Sequence, residues 1–106
     1  MALIRYKVMI EPTAAEDLFE ISDYITHALH EPVAANRIYR NIKEQIATLA
    51  DMPKRHKVLE HEPYASIGVR MLPVKNYIVY YVVDDSRTTV HIVRVLYNRR
   101  NWQDIL

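Results

Sequence analysis

The chain has 106 residues, 50% of them apolar and 25% charged, enough for one core and too few for two. No apolar run approaches the roughly 20 residues that span a bilayer, and the absence of cysteine excludes disulfides, iron–sulfur clusters and thiolate catalysis. The net charge of +1 conceals an asymmetry: residues 1–52 carry 5 Lys/Arg against 8 Asp/Glu, whereas residues 53–106 carry 9 against 5. A basic C-terminal half suits a polyanionic partner, although a few extra cations are also what surface solubility supplies.

In "LIRYKVMI" Ile4, Tyr6, Val8 and Ile10 alternate with Arg5 and Lys7, the pattern of a half-buried strand. The same cations inside the apolar run, with no small-residue cleavage site, argue against a signal peptide, so a cytoplasmic protein with no membrane association is expected. "TAAE" at 13–16 reads as a capping box, predicting a helix from Thr13 with the stripe Ala14, Leu18, Ile21, Ile25 and Ala28. Pro32 after His30 and Glu31 starts a second helix, with the stripe Ala35, Ile38, Ile42, Ile46 and Leu49. Two one-striped helices in succession predict an antiparallel hairpin.

Residues 54–64 show no period and contain Pro63, so a loop is expected. Strands are predicted at 65–72, 76–83 and 89–97, joined by "PVK" and by "DDSR". The last would place Val90, Ile92, Arg94 and Leu96 on one side and His91, Val93, Val95 and Tyr97 on the other. The expected fold is α+β: a single domain, 1–106, with an N-terminal strand, a helical hairpin on one face of a mostly antiparallel sheet of about four strands, and a short C-terminal tail or helix. The other sheet face would be closed by the tail, a partner or solvent.

His27 and His30 have a metal-compatible spacing but no third ligand, and the only glycine, Gly68, rules out phosphate-cradling Gly-rich loops. No cofactor is expected. What remains is "VRVLYNRRNWQDIL": Tyr97, Arg99, Arg100 and Trp102, with Arg70 and Arg94 in the strands. Arginine binds phosphate bidentately and aromatic faces stack bases, a combination suited to single-stranded nucleic acid. The plainer alternative folds Trp102 onto the core and pairs the arginines with Asp104 and the acidic first helix.

Taken together, "PTAAEDLFEISDYI", "GVRMLPVKNYIVYYVVDD" and "HIVRVLYNRRNWQDIL" resemble the RelE/ParE superfamily of type II toxin–antitoxin toxins, in the same order and over nearly the whole chain. The resemblance implies a growth-arresting toxin, linked to plasmid stabilization, with a cognate antitoxin as partner in a hetero-oligomer. The RelE branch implies metal-independent cleavage of mRNA at the ribosome by attack of the RNA 2′-hydroxyl. That chemistry needs a cation on the developing phosphorane and groups to move two protons. On this sequence it implies Arg99 or Arg100, Arg70 and Tyr97 as catalytic residues, with Glu60, His61 or Glu62 as loop bases. Arg94, Trp102, Lys75 and Lys57 would contact the target. Many nuclease members place an arginine directly after the central-strand tyrosine, where Ile78 follows Tyr77 here. The ParE branch implies inhibition of DNA gyrase through a binding surface alone. A non-toxic RNA- or protein-binding module is the third reading.

Overall fold

A computed structural model describes residues 4–98. Strand β1 (Lys7–Ile10) leads into helix α1 (Pro12–Asp23), which widens into one π-helical turn at Tyr24–Ala28. The capping box expected from Thr13 and Glu16 does not form. Glu11 is the N-cap, no side chain caps the helix, and Pro12 occupies its first turn, where a fixed φ and a missing N–H carry no penalty. His30, at φ 54, reverses the chain, and helix α2 (Pro32–Ala47) begins at the expected proline.

The predicted strand at 65–72 is two elements: a short helix α3 (Tyr64–Ile67) and strand β2 (Arg70–Val74). Gly68 separates them at φ 84, its N–H donating to the Tyr64 and Ala65 carbonyls; a left-handed C-cap is the position glycine fills without strain. The turn falls at Lys75 and Asn76, leading into β3 (Tyr77–Asp84) and β4 (Thr89–Tyr97). The sheet order is β1-β4-β3-β2, with β1 parallel to β4 and the other pairs antiparallel.

The hairpin covers one face, where Ala14, Leu18, Ile42, Ile46 and Leu49 pack on Val79, Tyr81, Val90, Ile92 and Val95. The expected alternation of β4 does not persist. Tyr80 pairs with Arg94 and Tyr81 with Ile92, so Val93 is a bulge. One extra residue shifts the parity, which puts Val95 with Val90 and Ile92 on the helix side and Leu96 with Val93 in the opposite cluster. That second face is closed in part by the chain itself. Leu59, Tyr64 and Val69 cover Tyr80 and Leu96, so the segment expected to be a plain loop contributes Leu59 and Tyr64 to a second, smaller core.

Candidate functional site

Asp17 and Arg94 form the most buried ion pair among the described residues. Both are on the expected elements, and the pair is one form of the plainer alternative, arginine with the acidic helix: Asp17 falls among Ala14, Leu18 and Ile21 in the apolar stripe of α1, and a carboxylate at that spacing needs a partner inside. Arg94 Nε and Nη2 donate to Asp17 Oδ2 and Oδ1 at 2.7 and 2.9 Å, and the Val95 N–H donates to Oδ2 at 3.0 Å. The carboxylate thereby terminates the part of β4 that β1 leaves unpaired beyond Ile92. The hydrogen-bonded Asp17 raises the Arg94 pKa above its ordinary value.

Arg70 is used differently. Its Nη1 donates to the Lys54 and His56 carbonyls at 3.0 and 2.7 Å, and the Tyr81 hydroxyl donates to the Pro53 carbonyl at 2.6 Å. These bonds hold residues 53–56 against the end of the sheet. Burial pushes the Tyr81 phenol up to about 12. His56 stands edge-on to Tyr81, ring centroids 6.3 Å apart, and its pKa is lowered by burial, then by Arg55 and Arg70. Beside it, Asp85 accepts from Tyr6 and Lys54, and the Lys54 bond lowers its pKa.

The remaining expected residues separate into two groups. Arg70 is opposite Tyr81 and Tyr97 opposite Tyr77, four positions along β3 and on its two flanks, so their backbones are roughly 16 Å apart. Glu60 and His61 leave from the Arg70 end, because Leu59 donates to the Val69 carbonyl; Lys57 pairs with Glu60 at 3.4 Å and Glu62 accepts from Ser66. The structure does not bring Glu60, His61 or Arg70 to Tyr97. At the other end Tyr97, 39% exposed, meets Tyr77 edge-to-face at 5.7 Å. The Asn98 N–H donates to the Asn76 carbonyl at 2.8 Å, so β4 exits beside the turn that carries Lys75. Arg99, Arg100, Trp102 and the expected C-terminal tail or helix lie outside the described residues.

Two grooves flank Tyr77. One, of about 670 Å³, runs along α1 between Glu20, Tyr24, Leu29 and Tyr97, with Asp17 at its floor. The other, of about 780 Å³, lies between α2 and the β2–β3 turn and is lined by Asn36, Arg37, Arg40, Asn41, Lys75 and Asn76. Arg37 and Arg40 gave no signal in a helix read only for its apolar stripe. Their one-turn spacing on the polar face was the available clue. Among the described residues no three His, Asp or Glu could hold a metal ion, and no helix is long and apolar enough to cross a membrane.

Comparison with known proteins agrees with this architecture. The chain is similar to the solved chromosomal ParDE TA system of P. aeruginosa, at 23% identity and a TM-score of 0.72 over 88% of this chain and 96% of that one. It is similar to the toxin–antitoxin complex RelBE2 of Mycobacterium tuberculosis, at 26% identity and a TM-score of 0.62 over 91% and 94%. The archaeal RelE–RelB complex of Pyrococcus horikoshii OT3 shares the fold at 18% identity, with a TM-score of 0.60 over 92% and 99%. No curated protein matches the chain. The family model described as the ParE toxin of type II toxin–antitoxin system, parDE, matches residues 8–102, and the chain belongs to that family within the RelE/ParE superfamily.

Proposed function

We propose that this single-domain toxin acts in the cytoplasm on ribosome-bound mRNA, cleaving it by attack of the RNA 2′-hydroxyl, and that a cognate antitoxin holds it inactive in a hetero-oligomer. One observation carries the reading. At the Tyr77 end of the sheet an exposed aromatic, Tyr97, and the Lys75 turn meet the exit of β4, and Arg99 and Arg100 follow Asn98 directly in sequence. Cations beside an exposed aromatic are what a transferring phosphate and a stacked base require. Tyr97 carries the proton-transfer role in this reading. Arg70 and Arg94 act as positioning residues, the first for residues 54–56 and the second for β4.

Induced expression followed by mapping of mRNA 5′ ends tests this. Ends within codons are expected, together with their loss in Arg99→Ala/Arg100→Ala and a large decrease in Tyr97→Phe; intact transcripts in arrested cells would sink the reading. The dispersal of Glu60 and His61 from Tyr97 favours a second one, inhibition of DNA gyrase by binding, which needs no acid–base pair. It requires loss of supercoiling with purified toxin, and normal supercoiling at high toxin concentration excludes it.

A further inference from the structure

The α2 groove has no place in that chemistry, yet its composition is specific. Arg37, Arg40 and Lys75 line it with one carboxylate, Glu44. All three cations are exposed and make no hydrogen bond or ion pair with any described residue. Arg37 and Arg40 are one helical turn apart, which puts their Cβ atoms about 5–6 Å apart on one face. Lys75 reaches the groove from the opposite wall, at a turn position with φ 56. Asn36, Asn41 and Asn76 each stand next to one of the cations in sequence, and Tyr77 also lines the groove.

We infer that this groove is a nucleic-acid track, which takes the sugar–phosphate backbone of a single strand across Arg37, Arg40 and Lys75 and delivers it to the Tyr77–Tyr97 pair. Guanidinium groups match phosphate bidentately. Asparagine amides both donate and accept, which suits sugar oxygens and base edges. The edge-to-face tyrosines present an aromatic surface for a base. The groove is also continuous with the proposed working end, since Asn76, at its rim, carries the carbonyl that receives Asn98. The choice of RNA as the strand rests on the reading above, but binding is measured apart from cleavage.

The test is fluorescence anisotropy of a labelled 2′-O-methyl RNA, which lacks the attacking hydroxyl, titrated with the purified full chain across a range of salt. Arg37→Gln/Arg40→Gln should weaken binding about tenfold or more and lower the salt slope by about 1.4, the value for two single-strand phosphate contacts. Lys43→Gln removes a cation from the same helix that lies over Tyr39 outside the groove, and should leave the affinity within about twofold of the parent protein. Circular dichroism checks that the helix is intact in each variant. Absence of binding by the parent chain overturns the inference, as does an unchanged affinity and slope in the double variant. Displacement of the RNA by poly-glutamate at equal charge would assign the groove to an acidic peptide instead. Groove binding without mRNA cleavage overturns the reading above and leaves the track standing; cleavage with normal RNA binding by the double variant overturns the track alone.

Discussion

The two flanks of Tyr77 differ in how they use charge. On the α1 side the carboxylate of Asp17 is buried and committed to Arg94 and the Val95 N–H, and what remains exposed is one carboxylate, Glu20, beside the aromatic Tyr24 at 59% and the aliphatic Leu29 at 51%. On the α2 side Arg37, Arg40 and Lys75 are exposed and bonded to no described residue. An arginine inside the fold is part of the scaffold, and one on the rim is available to a ligand. The contrast separates Arg70 and Arg94 from Arg37 and Arg40 more sharply than sequence position does.

The largest expected effect tests the scaffold half of that contrast. Asp17→Ala removes the carboxylate that accepts from Arg94 Nε and Nη2, on a side chain 21% exposed, and from the buried Val95 N–H. Removing one member of a buried pair costs about 3 kcal/mol or more, read as a lower urea midpoint with an unchanged slope. Asp17→Leu combined with Arg94→Met should recover the part of that loss that comes from the ion pair, because an apolar pair of similar volume often replaces a buried ion pair without penalty, while the Val95 N–H still lacks its acceptor. If Asp17→Ala unfolds like the parent protein, Arg94 belongs with the free cations and the contrast fails.

Much of the fold was legible because it is periodic. The α2 stripe Ala35, Ile42, Ile46 and Leu49 is buried as read, and β4 spans 89–97 as expected. The misreadings arise where one residue overrides a pattern. Pro12 replaced the Thr13 capping box, Gly68 divided a predicted strand into α3 and β2, and the Val93 bulge reversed the parity that had placed Leu96 with Val90. Site residues were less legible because pairing across 77 positions, as between Asp17 and Arg94, leaves no local trace. An arginine flanked by apolar residues reads the same whether it meets a carboxylate, two carbonyls or a phosphate.

A smaller effect is expected at Arg70. Arg70→Met keeps the stem packed but removes the donor to the Lys54 and His56 carbonyls, a loss of about 1–2 kcal/mol. The Tyr81→Phe change, which leaves the Pro53 carbonyl without its donor, should cost about 1 kcal/mol. In both variants amide exchange should accelerate at residues 53–57 while the protection of β4 is retained. Cleavage activity should fall only as far as stability does. Complete loss of activity in a stable, folded Arg70→Met protein would instead make Arg70 a group that touches the substrate, and the scaffold assignment would be wrong.

The smallest effect is a pH dependence centred on His56, next to those same bonds. Burial lowers its folded pKa below the ordinary 6.5, so the unfolded chain binds more protons as pH falls through that region. Stability from the neutral imidazole is therefore present above about 6.5 and lost as pH falls through 6.5 toward the depressed folded value. The local geometry requires the same form: Arg55 Nε donates to His56 Nε2 at 3.3 Å, which only an unprotonated nitrogen accepts. Urea unfolding on either side of pH 6.5 should show a decrease on acidification that His56→Gln reduces. Since Arg70 holds the His56 carbonyl, protonation at this ring acts on the scaffold end of the sheet. The oligonucleotide affinity of the α2 groove should keep the same pH profile in His56→Gln as in the parent chain, and a shifted profile would mean that the two regions are coupled rather than distinct.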